Sequence, residues 1–265
     1  MNVRILNPEV LEHLYENHGQ FACVCYNTPE KYAERVGTSC QKDGHMSGSR
    51  CEYIKFHISG IDRGTAEQCL RHEIGVDVPF EYQDNYRFSD YMEQVIDVDP
   101  THIVKNMASF RYIDKSGFEY ETPTIIEDHF EAKAKYDNLM KTINETRNEI
   151  IDILETIGNS HSAANEAVNF VLPRATKTEF VIGFTPEALI RFFHKRLCNR
   201  AQENIQELAH MIKAEVKKIN PRFAKEAVPQ CMHLLWCPEG KRTCHMMPTK
   251  EEVKSKLGMR FGTDM

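Results

Sequence analysis

Two long stretches of the chain repeat apolar residues every three to four positions, and they dictate what else the fold must contain. Between Glu127 and Ile157, Phe130, Ala134, Met140, Ile143, Ile150, Leu154 and Ile157 follow that step. The spacing lines them along one face of an α-helix, and Gly158-Asn159 supplies a stop. The second stretch opens at Thr185-Pro186, a cap followed by proline at the first helical position, and reads as one helix to Asn220-Pro221. Leu189, Phe192, Phe193, Leu197, Ile205, Leu208 and Ile212 give it a core face. Each apolar face must be buried against another layer.

Strand-like pieces supply that layer. VRIL (3–6) reads as a short strand before a short helix, PEVLEHLYENHG, and FACVCY (21–26) as a second buried segment. TPEKYAERVGTSC reads as a helix capped by Thr28, followed by a Gly/Ser-rich loop, KDGHMSGSR. In EYIKFHISGI, Tyr53, Lys55, His57 and Ser59 alternate with Ile54, Phe56 and Ile58, the period of a half-buried strand. RGTAEQCLRHE reads as a helix, Ser109–Ile113 as a strand and EFVIGF (179–184) as another. A short helix is expected around Ala164–Phe170 and another near the C-terminus. Residues 77–103 are acidic and tyrosine-rich, and read as an excursion within the domain. The fold class is α+β, with one domain over residues 1–220 and a Cys-rich tail, 221–265, packed on it.

Composition narrows the function. The 265 residues are 41% hydrophobic and 27% charged, with a net charge of -6, which suits a globular core and argues against coating nucleic acid. No apolar run approaches membrane-spanning length, and the start lacks a secretory h-region, so a cytoplasmic protein is expected. The cysteine count is nine; an odd number in a chain of this size does not read as a disulfide framework. Cys231, Cys237 and Cys244, with His233 and His245, are zinc-type ligands, but their spacing matches no common zinc module; packing of reduced thiols is expected, and no metal. Cys69 near His72 is a loose nucleophile candidate.

Cationic residues form the most suggestive constellation. Arg71 and His72 stand side by side, Arg111 follows Ser109 by two, and Arg191 and Arg196 interrupt the second apolar face. Residues i and i+2 of a strand share a face, so Ser109 and Arg111 would present a hydroxyl and a guanidinium together. Such a pair suits a phosphate or a uracil-like ring edge. Each arginine taken alone reads more readily as a surface ion-pair partner.

Several separated segments resemble the flavin-dependent thymidylate synthases, in the same order. FACVCY is similar to the early "AARVCY"-type segment of that family, and GHMSGSRCEYIKF to its "GHxSPxEHxxF" loop and strand. FHISGIDRGTAEQCLRHE parallels "FxIxGxSRxxxxQxxRHR", whose continuation is found only at Asn106–Tyr112, behind the acidic excursion. NEAVNFVLPRATKTEFVIGF and the helix after it resemble the "NExARxVLP" half. The resemblance runs to about residue 215 and implies a small, mostly antiparallel sheet packed with long helices.

It also implies FAD as cofactor, with NADPH and methylenetetrahydrofolate as co-substrates. The implied reaction is reductive methylation of dUMP to dTMP in a homotetramer, without a cysteine nucleophile. His45, Ser47, Arg71 and His72 match flavin-binding positions, and Glu73, Asn106 and Arg191 fall at further cofactor-side positions. Gln68, Ser109, Arg111, Tyr112, Glu166 and Arg196 match nucleotide-side ones; Ser109, Arg111 and Arg196 are the expected catalytic residues. The chain departs from the pattern at five places, the first signature serine being lost or displaced by the excursion. Glu73 replaces an arginine, Met107 a glutamate, Asn169 a phosphate-binding arginine and Arg191 an asparagine. Those changes keep open a related flavoenzyme acting on another pyrimidine nucleotide, such as a hydroxymethylating one, or a catalytically idle binding homologue.

Overall fold

A computed structural model describes residues 1–70, 103–110 and 113–261. The Arg71–Glu73 run, all of the excursion 77–103 but its last residue, Arg111 and Tyr112 therefore lie outside the described residues. Four strands, β1 (Asn2–Ile5), β2 (Ile54–Asp62), β3 (Ile103–Met107) and β4 (Lys177–Phe184), pair in the order β1-β2-β4-β3. The sheet is antiparallel and the rest of the chain is mainly helical, so the α+β expectation holds. The chain divides into two compact units, one of residues 1–2, 57–70 and 105–182 and one of the remainder.

In the first unit the alternation of β2 does what its sequence demands. Ile58 and Ile61 are fully buried, while His57 and Ser59 are partly exposed. The strand turns directly into α4, and the hinge is built from Asp62. Its Oδ1 accepts the Thr65 amide at 2.8 Å, satisfying one of the orphan donors of a new helix. The amides of Arg63 and Gly64 donate to the carbonyls of Thr176 and Arg174. Helix α4 (Arg63–Leu70) is thereby fixed at its first turn.

The longest helix of that unit runs from Phe130 to Thr156, after a short turn of helix at Thr124–Glu127; His161–Val168 follows. In chain order these are α6, α5 and α7, because α1 to α3 precede β2. The buried register of α6 differs from the predicted face. Phe130 is 87% exposed and Ile157 70%, whereas Met140, Arg147 and Ile151 are buried. The true inner stripe steps through 140, 147, 151 and 154, and it includes a charge. A reading that counts only apolar residues skips Arg147 and drifts onto the neighbouring face. Ile151 and Leu154 pack against Ala164 and Val168 of α7.

The second unit begins with α1 (Pro8–Glu12), α2 (Leu14–Cys25) and α3 (Ala33–Lys42). FACVCY is the last turn and C-cap of α2 rather than a wholly buried segment: Ala22 and Cys23 are buried, and Phe21, Val24 and Tyr26 are exposed. Nor does Thr28 cap the next helix, since a 3-10 turn at Glu30–Tyr32 intervenes. Helices α2 and α3 touch at two glycines. A methyl added at Gly19 would lie 1.7 Å from the Ala33 carbonyl oxygen, and one at Gly37 would lie 1.9 Å from that of Tyr15. No side chain fits either place.

The predicted second long helix is two helices, α8 (Pro186–Arg196) and α9 (Glu203–Ile219). Thr185 caps α8 as expected, its hydroxyl accepting from the Ala188 amide at 3.2 Å. The break falls where Cys198-Asn199-Arg200 offers no apolar anchor, and Gln202 is extended. The apolar periodicity survives because both helices bury a face. Phe192 and Phe193 are fully buried in α8 beside Phe184, and Ile205, Leu208 and Ile212 in α9. Each such side chain contributes about 1.5–3 kcal/mol by leaving water.

The tail adds α10 (Gln230–Leu234) and α11 (Lys250–Phe261). None of the nine cysteines is in a disulfide. Burial pushes the Cys231 thiol up, and its neighbours Cys237, Cys198 and Cys244 act in the same sense. Among the described residues no group of three or more His, Cys, Asp and Glu is placed to hold a metal.

Candidate functional site

One cavity brings two of the sequence candidates, Ser109 and Glu166, together. In the first unit a hollow of about 580 Å³ is lined by Arg63, Glu67, Met107, Ala108, Ser109, Phe110, Glu166, Asn169, Phe170, Leu172 and Arg174. The walls have simple origins. Arg63 and Glu67 are one turn apart on α4 and pair at 3.3 Å. Arg174 stands where the Gly64 amide meets its carbonyl, and its guanidinium reaches Glu67 at 3.4 Å while staying 69% exposed. Glu166 projects from α7. Ser109 follows β3, which ends at Met107.

That end point corrects the strand predicted at 109–113. Only one further rung is made, from the Ala108 amide to the Glu179 carbonyl at 3.0 Å. Ser109 is exposed and Phe110 is buried. The argument that Ser109 and Arg111 share a strand face therefore fails at its first residue, and Arg111 is outside the described residues.

What holds the post-strand segment is a polar network that the sequence did not reveal. The Phe110 ring has the Arg63 guanidinium 4.6 Å and the Lys115 ammonium 4.7 Å from its centroid, distances at which a cation is drawn to a ring. Asn169 donates its amide to the Phe110 carbonyl, and Asn165 donates to the Ile113 carbonyl at 3.4 Å. Both amide oxygens face Arg147, whose side chain has no exposed surface. Nη2 and Nε reach Asn169 Oδ1 at 2.9 and 3.2 Å, and Nη2 reaches Asn165 Oδ1 at 2.5 Å. The nearest carboxylate, Asp114, is 3.9 Å away. Two hydrogen bonds from Ser116 hold Asp114 below the usual carboxylate range, and Arg147 adds to that. Burial lowers the proton affinity of the Arg147 guanidinium, which Asp114 opposes.

The remaining sequence candidates divide by unit. Gln68 lies half-buried on α4 and Asn106 exposed on β3, both in the first unit. His45, Ser47, Arg191 and Arg196 are in the second. Arg191 pairs with Glu187 at 2.6 Å, and Arg50 reaches the same carboxylate at 2.6 Å. Its charge is thus spent on a structural carboxylate. Arg196 is the last residue of α8.

A second hollow, of about 350 Å³, lies among α2, α3 and the 3-10 turn Ser47–Cys51. Phe21, Ala22, Val24 and Tyr26 give it apolar walls, with His45 and His18 as polar members. His18 is 3% exposed and its Nδ1 has no hydrogen-bond partner. Burial depresses its proton affinity, so the ring is neutral at pH 7. Apolar walls with one buried, unmet polar atom fit the planar, one-edge-polar ring of a flavin. The residues present therefore suit the group that the sequence motif implies.

The fold is thus a helix-rich α+β one, with a cavity lined by two arginines and two glutamates in the first unit and a mainly apolar hollow in the second. The model of the thymidylate synthase complementing protein family matches residues 11–222, and the chain belongs to that family. A flavin-dependent thymidylate synthase from Nitratidesulfovibrio vulgaris is 29% identical over 216 residues, 81% of this chain and 77% of the relative. One from Pyrococcus furiosus is 29% identical over 226 residues, covering 83% and 77%. One from Clostridium tetani is 25% identical over 209 residues, covering 76% and 72%.

Proposed function

We propose that this chain is a flavin-dependent thymidylate synthase that converts dUMP to dTMP in the cytoplasm. FAD is its flavin, NADPH its reductant and methylenetetrahydrofolate its one-carbon donor. The observation that carries the reading is the cavity in which Ser109 and Glu166, from separate motif segments, meet Arg63 and Arg174. A hydroxyl, a carboxylate and two guanidiniums supply the donors and acceptors that a uracil ring and a phosphate require.

Ser109 and Glu166 hydrogen-bond the pyrimidine, with Gln68 and Tyr112 beside them. Arg111 and Arg196 balance the negative charge of the nucleotide and of the reacting ring. Where the family has a phosphate-binding arginine, Asn169 is neutral, and Arg174 replaces the missing charge from the same wall. Arg191, bound to Glu187, does not take that part. His45, Ser47, Arg71 and His72 hold the flavin, with Glu73, Asn106 and Arg191 on the cofactor side. The flavin, when bound, carries electrons from the nicotinamide and relays the one-carbon unit. Association into a homotetramer is supported by Ile153 and Ile157 on and beside α6, 61% and 70% exposed, and by Phe170 at 89%. Among the described residues no helix is long and apolar enough to cross a membrane.

The test is product analysis with dUMP, NADPH and methylenetetrahydrofolate, on protein showing flavin absorbance. Formation of dTMP is expected. A hydroxymethylated nucleotide in its place moves the chain to a related flavoenzyme, and no product above background ends the proposal. Loss of Arg111 to alanine is expected to weaken dUMP binding by about 2–4 kcal/mol, the range for removing a charged hydrogen-bond partner, and loss of the largely exposed Arg174 by about 1 kcal/mol.

A further inference from the structure

Arg147 is the largest fully buried side chain in the first unit, and its partners are amides. A guanidinium has five donors and no acceptor. An asparagine amide can turn either end toward a neighbour, and a purely donating neighbour accepts only the oxygen. Arg147 therefore sets the rotation of Asn165 and Asn169 together. Once each Oδ1 faces the guanidinium, each Nδ2 must face away from it. There the two Nδ2 groups meet the carbonyls of Phe110 and Ile113. Without the cation, either amide can flip and present oxygen to a carbonyl oxygen, which repels it.

We propose that Arg147 is a positioning residue: through Asn165 and Asn169 it holds the Phe110 and Ile113 carbonyls, and so fixes Ser109 in the wall of the cavity. The inference rests on the proposed function for its consequence, since Ser109 is there a nucleotide contact. The clamp itself rests on the hydrogen bonds alone. It also gives Asn169 a purpose. An arginine at that position would offer Arg147 no acceptor, and repulsion between the two guanidiniums would turn it away from the Phe110 carbonyl.

The discriminating variant is Asn165→Asp in the flavin-loaded protein. Aspartate keeps, and by charge strengthens, an acceptor for Arg147, but it has no Nδ2 to give Ile113. It lies outside the cavity lining, so it adds no charge to the nucleotide site. The expected result is a KM for dUMP raised about tenfold with kcat within about twofold. Amide hydrogen exchange over peptide 108–118 is expected to quicken while the rest of the chain keeps its rates. Arg147→Lys, a point charge unable to span both amides, is expected to give the same pattern. Unchanged KM with unchanged exchange in 108–118 overturns the proposal, as does exchange that rises uniformly across the chain. Should Arg147→Lys fail to fold, Asn165→Asp still decides. If wild-type protein does not bind dUMP, the functional reading fails by itself; the exchange measurement then decides the clamp alone, a rise confined to 108–118 supporting it.

Discussion

Restoring the arginine that the family carries at position 169 is expected to damage this protein. Asn169→Arg removes the oxygen that accepts from Arg147 at 2.9 and 3.2 Å. It also removes the donor to the Phe110 carbonyl. Loss of an acceptor to a charged, buried donor costs about 1.5–3 kcal/mol, and the orphaned carbonyl about 1 more. A second guanidinium roughly 5 Å away adds about 3 kcal/mol of repulsion at an effective dielectric of 20. Asn169 is half-exposed and lines the cavity, so the new side chain can swing outward and shed most of that last term. The net expectation is about 3–4 kcal/mol of destabilisation. Urea denaturation of wild type, Asn169→Arg, Arg147→Met and the double variant measures it. In the double variant the two costs should fall short of additive by at least about 1 kcal/mol, because the repulsion is gone. An Asn169→Arg protein within about 0.5 kcal/mol of wild type would refute the reasoning.

Three other outcomes test the scaffold. Gly19→Ala forces a methyl onto the Ala33 carbonyl oxygen; a loss above about 3 kcal/mol is expected by thermal or chemical denaturation, and a neutral effect would mean that α2 and α3 are not so close. Thr185→Ala removes the cap on Ala188 and should cost about 1 kcal/mol in the same measurement. His18 has its proton affinity lowered chiefly by burial, against a hydrogen bond to the His45 backbone. The unfolded chain takes up that proton first, so the His18 contribution to stability is present above about pH 6.5 and is lost as pH falls toward the depressed folded value. His18→Gln should flatten the decline in denaturation midpoint below pH 6.5, and a variant with the wild-type slope would remove His18 as its cause.

The elements legible in sequence were those whose side chains alternate or repeat without charge. Strand β2 shows the case: Ile54, Phe56 and Ile58 are fully buried and Lys55 is exposed, so pattern and burial coincide. Thr185-Pro186 announces a helix start by chemistry that needs no partner. Boundaries were lost where tertiary contacts decide. The interruption between α8 and α9 keeps the apolar period on both sides and so leaves no trace in it. FACVCY is apolar enough to read as buried, yet half of it faces outward as the end of a helix.

The sequence offers candidate positions but no network between them, and Arg147 shows why. Motif residues announce themselves through fixed spacing along the chain. Ser109 and Glu166 were found that way, and a cavity joins them. Arg147, Asn165 and Asn169 are joined only by helix packing, since α6 and α7 must dock before one guanidinium can meet both amides. Read in isolation, Arg147 is a charge on an otherwise amphipathic helix, and the default for such a residue is solvent. Asn169 read in isolation is a lost cation. Read together they describe one exchange. Arg147 lies on α6 with both amide oxygens facing it, and Arg174, paired with Glu67, is the arginine that lines the cavity beside Arg63. Divergence at a motif position therefore carries little meaning until the neighbours that the fold gives it are known. Here they turn an apparent defect at 169 into a reason for the buried arginine.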